Sequence, residues 1–285
     1  MKKSIIIIIA IFAGVFTFNS CSKSYDPGDW SQLPDYPTKE EDSYDGPTQT
    51  IKVMSVNMAL GNNAGNFPTM VNMIKAYDPD LLFLRQVDSK TTRANGIDRP
   101  QVIADELGMN VFFKGREYGG GHFGNAALSK FPVTEEIGEF LTFVPGSGEQ
   151  RMLAMVKTEV SEGVFVYFGG TELQPAERRV QAIDILRVTE ELEDPVFLLG
   201  NFNEQDGPNA EALPYLKGTF NLACPAAGCT FNAPKANPNG VYDYITYQDP
   251  NDKIIVDSFL EPFKNPETAN TFYPTVATFK IKLED

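Results

Sequence analysis

From Thr50 onward the chain alternates between short apolar runs and brief polar breaks. The runs are IKVMSVNM from Ile51, LLFLRQV from Leu81, NVFFKG from Asn110, NAALSK from Asn125 and MLAMVKTEV from Met152, followed by GVFVYFGG from Gly163, PVFLLGNF from Pro195, YDYITY from Tyr242, IIVDSFL from Ile254 and TVATFKIKL from Thr275. They are short, rich in β-branched and aromatic residues, and bounded by Gly, Pro, Asn or Asp, which predicts strands, several of them paired antiparallel through short turns. Helical spacing appears in FPTMVNMIKAY, where Phe67, Met70, Ile74 and Tyr77 share one face before the stop at Asp78-Pro79. It recurs in AERRVQAIDILRVTEEL, where Val180, Ile183, Leu186 and Val188 mark the expected buried side. Strands outnumber helices, so the class is α/β with α+β character. A single domain over residues 50–285 fits the length, and no internal repeat is present.

The first 49 residues follow a different pattern. Lys2 and Lys3 precede the run IIIIIAIFAGVF, which is short for a membrane span and suited to the h-region of a signal peptide over residues 1–20. Phe18-Asn19-Ser20-Cys21 then resembles a relaxed bacterial lipobox, with Cys21 the residue to be diacylated; the alternative is an ordinary secretory signal with an incidental cysteine. Residues 21–49 are rich in Ser, Asp, Pro, Tyr and Gly without periodicity, and read as a flexible tether. The expected location is the bacterial cell envelope, lipid-anchored to the membrane, periplasmic or surface-exposed.

Charge and cysteines narrow the chemistry. Removal of residues 1–20 takes away two lysines and no acid, so a formal net charge of −14 becomes −16. Such a chain repels nucleic-acid backbones unless it carries a concentrated basic groove, and no Lys/Arg cluster of that length is present, so nucleic acid is disfavoured as a partner. Cys224 and Cys229 flank the loop CPAAGC. In an oxidising envelope the favoured reading is a small disulfide loop, with free thiols second and a metal site a remote third, because the one histidine, His122, is about a hundred residues away.

The polar positions that interrupt the runs form an ordered set of motifs. They read SVNMALG from Ser55, LLFLRQVD from Leu81, GHFGNAALSKFPV from Gly121, GTELQP with RRVQ from Gly170, PVFLLGNFN from Pro195, TFNAP with GVYDYI from Thr230, and NTFYP from Asn270. This series resembles the endonuclease/exonuclease/phosphatase superfamily, whose pattern is S-x-N, Q-E-V-D, G-N-A-x-L-S, T-H-L, G-D-F-N, I-D-Y-I and S-D-H-x-P. The resemblance covers about Ile51 to Leu283. It implies a four-layer sandwich of two packed mixed β-sheets flanked by helices, and a metal-dependent phosphoesterase. Five chemical positions differ. Gln86 stands for the metal-binding glutamate, Glu172 for a histidine, Asn201 for an aspartate, and Thr271 and Phe272 for the S-D-H aspartate and histidine.

Such hydrolysis needs a hard divalent cation, magnesium or manganese in the superfamily, held by carboxylates, together with a base of near-neutral pKa. This chain offers Asn57, Gln86, Asn201, Asn203 and Thr271, whose amide and hydroxyl oxygens supply no compensating charge. No cofactor is therefore expected. Glu172 and Asp243 are the acids left, weak candidates for a shifted metal site. His122 reads as a loop residue rather than a relocated base, and Asp243 as a structural acid. Arg85, next to Gln86 on a strand, is expected on the opposite face, solvated or salt-bridged. Arg178 and Gln181 are expected to satisfy carbonyls below the pocket. The leading expectation is an envelope pseudoenzyme that binds a ligand or partner through the old cleft. Amides beside Phe272, Tyr273 and Tyr242 suit a sugar or polyol, and an envelope protein is the other candidate. The rival is a working hydrolase rewired around Glu172 and Asp243 with Glu204 or Asp206.

Overall fold

The computed structural model describes residues 44–59, 61–62, 65–224, 239–260 and 274–283. In chain order the elements are β1 Thr48–Asn57, α1 Phe67–Tyr77, β2 Leu81–Ser89, α2 Arg99–Leu107, β3 Asn110–Tyr118, β4 Gly121–Ser129, β5 Val133–Phe140, β6 Met152–Ser161, β7 Val164–Glu172 and α3 Arg178–Thr189. They continue as β8 Val196–Asn201, α4 Leu213–Leu216, β9 Asn221–Leu222, β10 Asp243–Gln248, β11 Ile254–Leu260 and β12 Thr275–Lys282. One six-stranded sheet runs β11-β12-β1-β2-β4-β3 and the other β5-β6-β7-β8-β10-β9. The pairs β1–β2 and β7–β8 are parallel and the rest antiparallel, so both sheets are mixed.

Period-2 alternation sorts the strand residues into layers. Val53, Phe83 and Phe279 of the first sheet meet Phe168, Phe197, Leu199 and Ile245 of the second in one core between the sheets. The rings of Phe197 and Phe279 stand 4.7 Å apart across it. The alternate residues of the first sheet, Met54, Val56, Leu82 and Leu84, face outward and pack with Met70 and Ile74 of α1 and Ile103 of α2. On the far side, Leu153, Leu198 and Tyr244 pack with Ala182 and Ile185 of α3 and with Leu213 and Leu216 of α4. The result is helices, sheet, sheet, helices: the four-layer sandwich.

Helix α1 covers the span its pattern predicts, with Met70 and Ile74 buried and Asp78 ending it in the left-handed region. Helix α3 is also present, but its buried face is Gln181, Ala182, Ile185 and Thr189, while Val180 is 40% exposed and Ile183 and Leu186 are half-buried. The polar members belong inside because they bond there: Gln181 donates to the Thr142 carbonyl and accepts from the Gln174 amide, and Thr189 donates to the Ile185 carbonyl. Strand β1 opens at Thr48, paired with Lys282, and Tyr44 donates to the Leu283 carbonyl. Ordered chain thus reaches into the stretch expected to be tether. The expected signal peptide, Cys21 and most of the tether lie outside the described residues.

Candidate functional site

Where the inward-facing rows of the two sheets reach the strand ends, apolar residues give way to polar ones. The first sheet ends in Asn57, Arg85 and Asn125, the second in Glu172, Asn201 and Asp243. Asn57 is in register with Arg85, Glu172 with Asn201, and Asn201 with Asp243. These six residues are at most 7% exposed.

Strict alternation fails at one point, and the centre depends on it. The β2–β4 register shifts between Leu84 and Val87, and Gln86 takes φ 55°, a left-handed conformation uncommon outside glycine. This bulge turns Gln86 to the same side as Arg85 instead of the opposite face, and both side chains reach Glu172. The Gln86 amide nitrogen donates to both Glu172 oxygens at 2.6 Å. The Arg85 guanidinium donates to Glu172 Oε2 at 3.1 Å through Nη1, while Nη2 lies 2.6 Å from Asp243 Oδ1. Arg85 is 1% exposed, so it is salt-bridged and not solvated. Arg151 adds a third contact, 3.2 Å from Glu172 Oε1.

Two carboxylates and two guanidiniums therefore share the centre, and their charges cancel. Asp243 still bears the strain of burial: loss of water pushes its carboxyl up to about 6, opposed by Arg85, reinforced by the charge of Glu172, and opposed again by a hydrogen bond from Asn201. A folded-state value above the unfolded 3.8 means that the folded chain binds this proton more tightly. The associated stability is present at low pH and is lost as pH rises from about 4 through 6.

The remaining site residues brace the turns around this centre. Asn57 Oδ1 accepts from the Ala59 amide at 2.7 Å, and Asn201 Oδ1 accepts from the Asn203 amide at 2.6 Å. Asn203, in the left-handed region at φ 52°, donates to the Leu173 carbonyl. Arg178 donates to the Asn203 carbonyl. Glu204 accepts from the amides of Glu211, Ala212 and Leu213 at the start of α4, and Asp206 pairs with Lys217, so both acids have local structural partners. His122 is exposed at the beginning of β4, opposite Ser89 and Glu117. Cys224 is buried and disulfide-bonded. Thr271, Phe272, Tyr273 and Cys229 lie outside the described residues.

A family described as the PGAP2IP C-terminal nuclease-like domain matches residues 48–215, more than half of the chain. The chain belongs to the endonuclease/exonuclease/phosphatase superfamily. Among solved structures of this superfamily, an endonuclease/exonuclease/phosphatase family protein from Bacteroides thetaiotaomicron superposes with a TM-score of 0.66 at 16% identity, covering 83% of this chain and 100% of that one. The human Nocturnin catalytic domain, with a bound sulfate anion, gives 0.63 at 19% identity over 82% and 94%. A mannosyl-6-phosphatase from B. thetaiotaomicron gives 0.62 at 14% identity over 80% and 99%. At these identities the likeness shows the fold alone. No curated protein matches the chain.

Superfamily membership implies a divalent metal, and the described residues do not fit one. Both oxygens of Glu172 are held by Gln86, with Arg85 and Arg151 alongside, and Asp243 faces the same guanidinium. Among the described residues no three His, Cys, Asp or Glu side chains converge as a metal would require. The cavity bounded by Gln86, Phe123, Asn125, Arg151 and Glu172 is about 10 Å³, at the threshold for one water. Arg85 is the residue that sequence reasoning undervalued. The signal was present, because the superfamily's Q-E-V-D reads Arg85-Gln86-Val87-Asp88 here: the position before the metal ligand gains a positive charge as the ligand loses its negative one.

Proposed function

We propose that this protein is a non-catalytic member of the superfamily, held in the bacterial cell envelope by a lipid at Cys21, and that it works by binding. The observation that carries the loss of catalysis is the Arg85 guanidinium between Glu172 and Asp243. A cation fixed to the chain engages the two acids that a metal would have to use. The base is gone as well: Glu172 and Phe272 stand at the superfamily's histidine positions. Loss of general base catalysis alone is worth about 10²–10⁴-fold, and loss of the metal several kcal/mol more. The charge balance at the centre favours a neutral polar partner, a sugar or polyol, over a phosphate ester or a nucleic acid.

The purified protein should release no product above blank from activated phosphomonoesters and phosphodiesters in magnesium or manganese. Metal-dependent turnover that disappears in Glu172→Gln would instead establish a working hydrolase with a rewired centre. The anchor rests on the basic pair, the apolar run and Cys21. Cells fed labelled palmitate should label the wild-type chain and not Cys21→Ala; label persisting in the variant would rule the anchor out.

A further inference from the structure

We propose that Arg85 is the resident cation of this centre: its guanidinium stands where Glu172 and Asp243 would otherwise hold a divalent ion, and its charge keeps them from taking one. The inference deepens the non-catalytic reading and rests on it.

Three observations support it. First, the two acids come from different strands, Glu172 at the end of β7 and Asp243 at the start of β10, with β8 between them. Both are buried, and the guanidinium of Arg85 lies against both, at 3.1 and 2.6 Å. A planar fork bridging two carboxylates does the electrostatic task of a shared divalent ion. Second, the backbone bends beside it so that Gln86 joins it on the same acid. The β2 bulge and the left-handed Gln86 put neighbouring side chains on one carboxylate, a conformation that persists only where its surroundings enforce it. Third, the substitution is electrostatically complete. Arg85 and Arg151 offset Glu172 and Asp243, so an added divalent ion would meet a neutral cluster and an adjacent buried positive charge. Unlike a metal, the guanidinium is covalently part of the chain and does not exchange. The acids thus remain compensated whatever the ion supply outside the cell.

The test is cation binding, not turnover, so it stands apart from the hydrolysis assay. Wild-type protein and Arg85→Gln, which restores the superfamily's residue at that position, are titrated with manganese and calcium by calorimetry and with terbium by sensitised luminescence. Wild type should show no saturable site into the millimolar range. Arg85→Gln should bind about 100-fold or more tightly. Arg85→Lys, which keeps a charge, should behave as wild type, and adding Glu172→Gln to Arg85→Gln should remove the gain. If Arg85→Gln is unfolded without metal, far-ultraviolet circular dichroism follows refolding, expected with manganese or calcium and not with sodium at equal ionic strength. Folded Arg85→Gln with no gain in affinity, Arg85→Gln that stays unfolded in both cations, or wild type binding as tightly as the variant would each overturn the proposal.

Discussion

Arg85→Leu destabilises the domain by about 3–5 kcal/mol at pH 7, the usual cost of removing one partner from a buried ionic cluster. The loss comes from the charges left behind. Asp243 is 2% exposed and already pushed up to about 6 by burial, with Arg85 acting to lower it. Without the guanidinium that carboxyl rises further, and the folded variant must either carry an uncompensated charge or take up a proton. Urea unfolding should therefore show a gap between wild type and variant that is wide at pH 7 and narrow at pH 4.5, where protonation removes the conflict. A gap of equal size at both pH values would mean that Arg85 acts through packing and not through charge. The triple variant Arg85→Leu/Glu172→Gln/Asp243→Asn removes both sides of the interaction and should recover most of the loss.

The same residue marks where the sequence stopped being legible. The fold was readable because strand runs such as IKVMSVNM and PVFLLGNF bury alternate faces in two different layers, and the helix Phe67–Tyr77 repeats its apolar positions at 3.6-residue spacing. Strand β5 was missed because Glu135, Glu136 and Glu139 give an edge strand a polar face. Helix α2, with its apolar residues crowded into Val102-Ile103-Ala104, offered little periodicity. The buried side of α3 was misassigned because Gln181 and Thr189 bond inside while Val180 faces out. At the centre, Gln86, Glu172, Asn201 and Asp243 were found from their motifs. Arg85 follows Phe83 into the inward row by alternation, but the bulge that turns Gln86 to the same side is encoded by no alternation rule. The cost of burying a guanidinium is repaid by carboxylates 87 and 158 residues further along the chain.

Gly200→Ala destabilises the domain by about 3 kcal/mol or more, an effect reserved for backbone conflicts in a packed core. Gly200 has φ +141°, a conformation that favours glycine, and an added Cβ would lie 1.7 Å from the Thr171 carbonyl oxygen on the adjacent strand. The obstacle is backbone in a parallel pair whose register sets Thr171 against Gly200 and Glu172 against Asn201, so neither strand yields alone. Relief requires β8 to move away from β7. That shift draws Asn201 off the Glu172 row and weakens the hydrogen bond that Asn201 makes to Asp243. Gly207, beside which an added Cβ meets nothing within 4 Å, supplies the control: Gly207→Ala should stay within about 0.5 kcal/mol of wild type by urea unfolding. Comparable losses in both variants would show that Gly200 matters for the flexibility of the chain alone. A loss confined to Gly200→Ala ties the glycine of the G-N-F-N motif to the close approach of β7 and β8, the contact that sets Glu172 and Asp243 on either side of Arg85.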